Sequence, residues 1–310
     1  MRRWAKRIGL ALLAIVAAIT AAAAIYDGVS AGGVPARELY AGPYVQVDGR
    51  ALAYRGWGAH GSPVVLVGGF IEASDVWRDV GPLLGRTHRV YALDLPPFGY
   101  SERKGPYTIA TWLDELEGFD RALGIVRPTL VGHSLGAAVV VGEALRHPRM
   151  LHGVVLLDGD ALRGSAVPGW LASLVVDPYY TAVYRVLTRW NWVFRRGLSG
   201  AFGPNGPALT GAEIARWERP FRVAGTADAF TSLLPYGIQG YTLADLRRVR
   251  GVRRLVVWGA HDTADSVSAG RTSAAALRAP FVLLPRAGHL SMLVDPRGVA
   301  RAVERVARPG

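Results

Sequence analysis

The sequence predicts an α/β fold in which a mostly parallel sheet carries helices on both faces. Apolar residues make up 50% of the 310 residues and charged residues 19%, which is ample material for a large core. From Tyr44 onward, short β-rich runs alternate with helical stretches, an order typical of parallel sheets. Continuous apolar runs such as Pro63–Val67 are typical of strands that are buried on both faces.

The strands and helices can be placed in order along the chain. Asp48-Gly49 is a strong turn signal, so the first two strands should form an antiparallel hairpin. Strands are predicted at Tyr44–Val47, Arg50–Tyr54, Pro63–Val67, Arg89–Leu93, Thr129–Val131, Leu151–Leu157, Leu255–Trp258 and Pro280–Leu284. Helices are predicted at Trp77–Leu84, Ile109–Leu123, Leu135–His147, Ser266–Leu277 and Arg297–Ala307. Residues 44–158 and 246–310 together form the predicted core domain.

Residues 159–245 form a predicted helical insert, which we call the cap. This segment lacks β-rich runs, and Thr210 with Glu213 has the pattern of a capping box at a helix start. Aromatic residues are dense in it, including Trp170, Tyr179, Tyr180, Tyr184, Trp190, Trp192, Phe194, Trp217, Phe221, Phe230, Tyr236 and Tyr241. Such residues either attach short helices to the sheet or line an apolar pocket under a lid. Both roles are expected, for different residues.

Residues 1–28 are predicted to be a membrane anchor or a signal peptide. A basic flank is followed by residues 8–25, which carry no charge and would span about 27 Å as a helix. That length favours a retained anchor, whereas Ala22-Ala23-Ala24 offers a cleavage site for a secreted protein. In both cases the domain after Asp27 should lie outside the cytoplasm. Residues 29–43 are predicted to be a linker.

Composition excludes several classes of function. The chain has no cysteine, which removes disulfides, cysteine-ligated zinc and thiol nucleophiles. The net charge is +12, but the basic residues are scattered in ones and twos and form no long run. We therefore expect no nucleic-acid partner.

The sequence Gly132-His133-Ser134-Leu135-Gly136 has the G-x-S-x-G pattern of a nucleophile elbow. A predicted strand precedes it and a predicted helix follows it, which is the context that this motif requires. The glycines are needed because a tight strand-to-helix turn brings neighbouring backbones close together. Ser134 would then sit at a helix N-terminus, where developing negative charge is favoured. His133 should point away from Ser134 and support the elbow.

A serine hydroxyl needs a base, and the base needs an orienting acid. His289 follows the last predicted strand, at the sheet edge where ligands of parallel sheets bind. Asp262 follows the preceding strand, so Ser134, Asp262 and His289 occur in the chain order of elbow-type hydrolases. Asp265, Asp158 and Asp160 remain alternative acids.

These motifs identify the chain as similar to the α/β-hydrolase family, in the branch with a helical cap after the sixth core strand. The resemblance covers roughly residues 44–307. It implies an oxyanion hole formed by the backbone N–H groups of Phe70 and Leu135, and it implies no metal or organic cofactor. The chain departs from the family at Gly68, where the family usually has histidine, and at Pro97, where it has glycine.

The resemblance implies a serine hydrolase that is esterase- or lipase-like, because relatives that cleave haloalkanes or epoxides carry a carboxylate at the position of Ser134. The expected substrate is a small apolar molecule with an ester-like bond, with amide and C–C bonds as alternatives. A catalytically silent module that binds a ligand or partner on the same fold is the alternative from another class.

Overall fold

The computed structural model describes residues 15–25, 33–164, 179–189, 191–233 and 236–308. Eight strands form one sheet in the order β1-β2-β4-β3-β5-β6-β7-β8. Their bounds are β1 Tyr44–Val47, β2 Arg50–Trp57, β3 Pro63–Val67, β4 Arg89–Leu93, β5 Thr129–His133, β6 Gly153–Leu157, β7 Arg253–Gly259 and β8 Phe281–Leu284. Strand β2 pairs antiparallel with β1 and β4, and all the other pairs are parallel. The predicted hairpin and mostly parallel sheet are therefore confirmed.

The longer helices after residue 33 are labelled in chain order. They are α1 Ile109–Ala122, α2 Leu135–Arg146, α3 Tyr179–Arg189, α4 Asn191–Phe202, α5 Gly211–Glu218, α6 Thr226–Leu233, α7 Val267–Leu277 and α8 Pro296–Ala307. Shorter helical turns lie at Ala36–Leu39, Ser74–Trp77, Gly81–Leu84, Pro148–Met150, Arg219–Arg222, Leu243–Leu246 and Ser291–Val294.

The core lies on both faces of the sheet because alternate residues of each central strand point to opposite sides. In β3, Val65 and Val67 join the apolar cluster that contains Trp112 and Phe119 of α1. Val64 and Leu66 join the opposite cluster, which contains Val303 of α8. All residues of β3, β5 and β6 are buried, as expected for strands covered by helices on both sides.

One predicted helix differs from the observed structure. The segment predicted as a helix over Trp77–Leu84 is split into a 3₁₀ turn at Ser74–Trp77 and a one-turn helix at Gly81–Leu84. Pro82 explains the interruption, because its ring clashes with the carbonyl four residues earlier and it cannot donate a backbone hydrogen bond. It is tolerated in the first turn of the short helix that follows.

The cap helices α3 to α6 all lie between β6 and β7, where the insert was predicted. Thr210 caps α5, since its side chain accepts a hydrogen bond from the Glu213 N–H. A complete capping box occurs further on, at Thr242 and Asp245. Within the predicted cap, residues 165–178, 190 and 234–235 lie outside the described residues. The boundaries 159 and 245 stay predictions.

The predicted N-terminal anchor falls only partly within the described chain. Residues 15–25 are helical, whereas 1–14 and 26–28 lie outside the described residues. No helix within the described ranges is both long and apolar enough to cross a membrane. The predicted membrane-spanning helix stays a prediction. In the predicted linker, Leu39 and Tyr40 pack against Ala53 and Tyr100.

Candidate active site

Ser134 lies in a sharp turn between β5 and α2. Its backbone angles are φ 48° and ψ −117°, a conformation that costs energy for a residue with a side chain. The turn is possible because its neighbours are glycines. A Cβ on Gly132 would lie 2.2 Å from the carbonyl oxygen of Gly136, and one on Gly136 would lie 2.5 Å from that of Val67. The G-x-S-x-G pattern therefore reflects close backbone contacts at the elbow.

The structure brings together the three side chains that were predicted to act as a triad. The Ser134 Oγ lies 3.1 Å from His289 Nε2. On the other side of the ring, His289 Nδ1 lies 2.9 Å from Asp262 Oδ2. These residues come from the turns after β5, β7 and β8, which meet at the C-terminal edge of the parallel sheet.

Asp262 is held in place by its own loop. Its Oδ1 accepts hydrogen bonds from the N–H groups of Ala264 at 2.9 Å and Asp265 at 3.0 Å. The Asp262 side chain is fully shielded from solvent, and that of His289 is 14% exposed. The remaining oxygen, Oδ2, faces the imidazole and favours the tautomer that carries a proton on Nδ1. His289 Nε2 is then free to accept the proton of Ser134.

The alternative acids occupy other positions. Asp158 is fully buried at the end of β6, where it accepts hydrogen bonds from the Gly259 N–H at 2.7 Å and from the Ser291 hydroxyl. Burial raises the pKa of Asp158 to about 7, although His133 opposes the shift. Through these two hydrogen bonds, Asp158 links the end of β7 to Ser291, which follows His289. Asp265 accepts from the Ser266 N–H. The described hydrogen bonds join neither carboxylate to His289.

The loop after β3 passes beside the elbow. A Cβ on Gly69 would lie 2.8 Å from the Ser134 Cβ, so the backbone of this loop lies against the nucleophile. Phe70 follows directly, and Leu135 begins α2 after Ser134. Both residues predicted for the oxyanion hole are therefore next to Ser134 in the fold. We call residues 68–70 the oxyanion loop.

Glu72 is a residue of the site that the sequence reasoning missed. Its Oε2 accepts a hydrogen bond from the Gly69 N–H at 2.6 Å and lies 2.9 Å from His133 Nδ1. The predicted support role of His133 has a concrete form here, since its Nε2 lies 2.8 Å from the carbonyl oxygen of His289. The sequence contains one signal for this role of Glu72. It is a carboxylate three residues after the pair Gly68-Gly69, in a chain that lacks the histidine usual at position 68.

A cavity of about 460 Å³ opens between the cap and the sheet edge. Ser134 and His289 lie on its wall, together with largely apolar side chains. Its lining is Phe70, Ile71, Glu72, Ser134, Thr188, Val193, Phe194, Gly197, Leu198, Ala201, Trp217, Phe221, His289 and Leu290. Phe194, Trp217 and Phe221 thus belong to the cap aromatics that line a pocket. Phe230 instead packs on Phe70, with ring centroids 5.6 Å apart, and attaches the cap to the core.

One group of potential metal ligands occurs among the described residues, at Glu117, Glu143 and His147. Their ligand atoms lie within 4.8 Å of one another. Arg146 already pairs with Glu117 at 2.9 Å. None of the three residues lines the cavity, so this group is separate from the site at Ser134.

Comparison with known proteins agrees with the fold and the elbow. The family model for the α/β hydrolase fold matches residues 62–296, which is most of the chain. The chain belongs to the α/β-hydrolase fold family. Its match includes the elbow and the loops that carry Asp262 and His289.

Several members of the family resemble this one. A 2-hydroxymuconate semialdehyde hydrolase of Pseudomonas sp. (strain CF600) is 32% identical over 132 residues, or 41% of this chain and 47% of the relative. A 2-hydroxy-6-oxo-2,4-heptadienoate hydrolase of Pseudomonas putida is 38% identical over 102 residues, or 31% and 37%. The chain therefore spans less than half the length of these relatives.

Solved structures share the fold over a larger part of the chain. A membrane phospholipase A superposes with a TM-score of 0.69 over 99% of this chain and 98% of that chain, at 24% identity. An enol-lactonase from Burkholderia xenovorans LB400 superposes with a TM-score of 0.67 over 85% and 99%, at 25% identity.

Proposed function

We propose that this α/β-hydrolase family member is a serine hydrolase that cleaves an ester-like bond through an acyl-enzyme intermediate. One observation carries the proposal: an unbroken hydrogen-bonded series runs from Ser134 Oγ through both ring nitrogens of His289 to Asp262. A hydroxyl becomes an effective nucleophile when a base can take its proton and an acid orients that base.

The proposed reaction has two halves. Ser134 Oγ attacks the carbonyl carbon while His289 Nε2 takes the hydroxyl proton, and Asp262 stabilises the imidazolium that forms. The backbone N–H groups of Phe70 and Leu135 stabilise the negative oxygen of the tetrahedral intermediate. His289 then gives its proton to the leaving group. In the second half, water attacks the acyl carbon while His289 takes one of its protons. The bond from the acyl carbon to Ser134 Oγ then breaks, His289 returns the proton to Ser134, and the carboxylic acid leaves.

The cavity favours a neutral apolar substrate. Among the described residues of its lining there is no lysine or arginine, and most of the side chains are apolar. A buried carboxylate on a substrate would need a cation or several N–H donors to offset its desolvation. The substrate in the name of the heptadienoate hydrolase carries such a carboxylate, but the described lining of this cavity offers no cation to pair with one. We therefore propose a neutral ester as the substrate class, with amide and C–C bonds as alternatives.

The nucleophile is tested with a fluorophosphonate probe on the full-length protein. We expect one adduct, located on Ser134 by peptide mass spectrometry, and a loss of both labelling and ester turnover in Ser134→Ala. Ser232→Ala is the matched control, because Ser232 is an exposed serine of the cap. Labelling that survives Ser134→Ala contradicts the proposal. A folded protein that binds lipophilic esters without turnover favours the silent binding module.

The substrate class is tested with a matched pair of esters. p-Nitrophenyl butyrate and the p-nitrophenyl monoester of succinic acid have acyl groups of similar length, and only the second carries a carboxylate. We expect kcat/KM to be at least about tenfold higher for the butyrate, since placing an unpaired charge in an apolar site is costly. Equal values would contradict a preference for neutral acyl groups.

For the N-terminal segment we propose the role that its sequence predicts, a retained anchor with the catalytic domain outside the cytoplasm. Cleavage and secretion is the alternative. Mass spectrometry of the mature N-terminus, combined with fractionation of cells that express the full-length chain, separates the two. An intact N-terminus in a soluble fraction contradicts both.

A further inference from the structure

Glu72 and His133 form a buried ion pair beneath the active site. The His133 side chain is fully shielded from solvent and that of Glu72 is 5% exposed. His133 Nδ1 faces Glu72 Oε2 at 2.9 Å, and His133 Nε2 faces the carbonyl oxygen of His289 at 2.8 Å. Neither acceptor belongs to the triad side chains, so the mechanism proposed above does not use this pair.

The two contacts define the protonation state of His133. A carboxylate and a carbonyl oxygen are both acceptors, so each ring nitrogen must carry a proton to make a hydrogen bond. A neutral imidazole carries only one such proton, so with Glu72 present as a carboxylate both contacts are made only by the imidazolium. Burial disfavours this charge, but the attraction of Glu72 and, more weakly, of Asp158 outweighs it and raises the pKa of His133 to about 9.

The pair links the two backbone segments that flank Ser134. At one end, the same Glu72 oxygen accepts the Gly69 N–H at 2.6 Å, in the oxyanion loop just before Phe70. At the other end, His133 holds the backbone of His289 itself. His133 also precedes Ser134 directly in the chain. Loop, nucleophile and base are thus joined through one carboxylate and one imidazolium.

We propose that Glu72 and the doubly protonated His133 are positioning residues that hold the oxyanion loop and the backbone of His289 in fixed positions around Ser134. The inference rests on the proposed serine-hydrolase function. Neither residue transfers a proton to the substrate. Their effect is to place the Phe70 N–H and the His289 ring where the transition state needs them, because catalysis depends on donors fixed before the reaction begins.

The kinetic test uses Glu72→Gln, His133→Gln and the double variant with p-nitrophenyl butyrate. Glu72→Gln keeps the size of the side chain but removes the charge that keeps His133 protonated, so at least one hydrogen bond is lost. We expect kcat to fall by about 10- to 100-fold in each single variant, with KM within about threefold. The double variant should be no slower than the slower single variant, since the pair acts as one unit.

Glu115→Gln is the matched control, because Glu115 is a buried glutamate that pairs with Arg50 rather than with the site. Its kcat should stay within about twofold of the wild type. If the two site variants melt like Glu115→Gln and keep the wild-type kcat, the pair is merely structural and the inference is overturned. Loss of turnover in Ser134→Ala separates that result from failure of the proposed function.

Neutron diffraction of wild-type crystals at pH 7 gives a readout that needs no variant. We expect deuterium on both ring nitrogens of His133. Deuterium on only one of them overturns the inference, whatever the kinetics show.

Discussion

At the residue scale, the structure distinguishes three carboxylates that share one sheet edge. Asp262 contacts the His289 ring, Asp158 accepts the Gly259 N–H at the end of β7, and Asp265 accepts the N–H of the next residue, Ser266. We expect Asp262→Asn to lower kcat by about 10³–10⁴-fold, because an amide that donates to Nδ1 favours the wrong tautomer of the base. The measurement is steady-state turnover of p-nitrophenyl butyrate.

Asp158→Asn and Asp265→Asn serve as controls for Asp262→Asn. Asp265→Asn should leave kcat within about threefold. Asp158→Asn should lower the melting temperature and should lower kcat less than Asp262→Asn does, because the amide nitrogen that replaces one carboxylate oxygen cannot accept the Ser291 hydroxyl proton. A larger kcat loss in Asp158→Asn than in Asp262→Asn would show that Asp158 is the acid that serves the base.

The His133 charge also predicts how stability changes with pH. The pKa of His133 is raised in the folded protein, so its contribution to the free energy of unfolding is complete below about pH 6.5 and is lost as the pH rises through 9. The stability difference between wild type and His133→Gln should therefore shrink between pH 6 and pH 9.5. Urea unfolding at both pH values measures it, and a constant difference contradicts the imidazolium.

At the element scale, the elbow depends on glycines where strand, turn and helix meet. A Cβ on Gly132 would lie 2.2 Å from the Gly136 carbonyl oxygen, so the turn must open to accept it. We expect Gly132→Ala to destabilise the fold by about 1–3 kcal/mol and to lower kcat by at least about 100-fold.

Gly200→Ala is the matched control for Gly132→Ala. Gly200 lies in α4, and within the described part of the chain a Cβ there meets no atom within 4 Å. That substitution should stabilise the protein by about 0.5–1 kcal/mol, since alanine is the better helix former. Thermal and urea unfolding report both changes. If Gly132→Ala and Gly200→Ala change the stability equally, the close backbone contacts at the elbow do not require glycine at position 132.

At the scale of the whole molecule, the proposed function predicts that the cavity between cap and sheet sets the size of the acyl group. Gly197 in α4 lines this cavity, and a Cβ there would meet no atom of the described residues within 4 Å. We expect Gly197→Leu to raise KM for p-nitrophenyl octanoate by about tenfold and to leave KM for the acetate unchanged. Gly200→Leu, on the same helix but outside the cavity lining, should change neither value. Identical effects on both esters would contradict an acyl pocket at this place.

Local patterns were sufficient to predict the sheet and the elbow. The turn Asp48-Gly49 predicted the antiparallel hairpin, and the continuous apolar runs predicted the central parallel strands. Both predictions succeeded because turn residues and apolar runs are visible within a few neighbouring residues of the sequence. The split of residues 77–84 was missed, since the apolar pattern outweighed Pro82 in the prediction. The role of the N-terminal segment remains a prediction.

By itself, the sequence determined which residue types and which chain order are available for chemistry: an elbow serine, then an aspartate, then a histidine, each after a strand. Only the tertiary structure decided that Asp262 contacts His289, that Asp158 lies beneath them, and that Glu72 reaches His133 across 61 positions of chain. The physical reason is that hydrogen bonds depend on the directions of side chains from different strands and loops. Those directions are set by packing of the whole sheet and not by any local pattern.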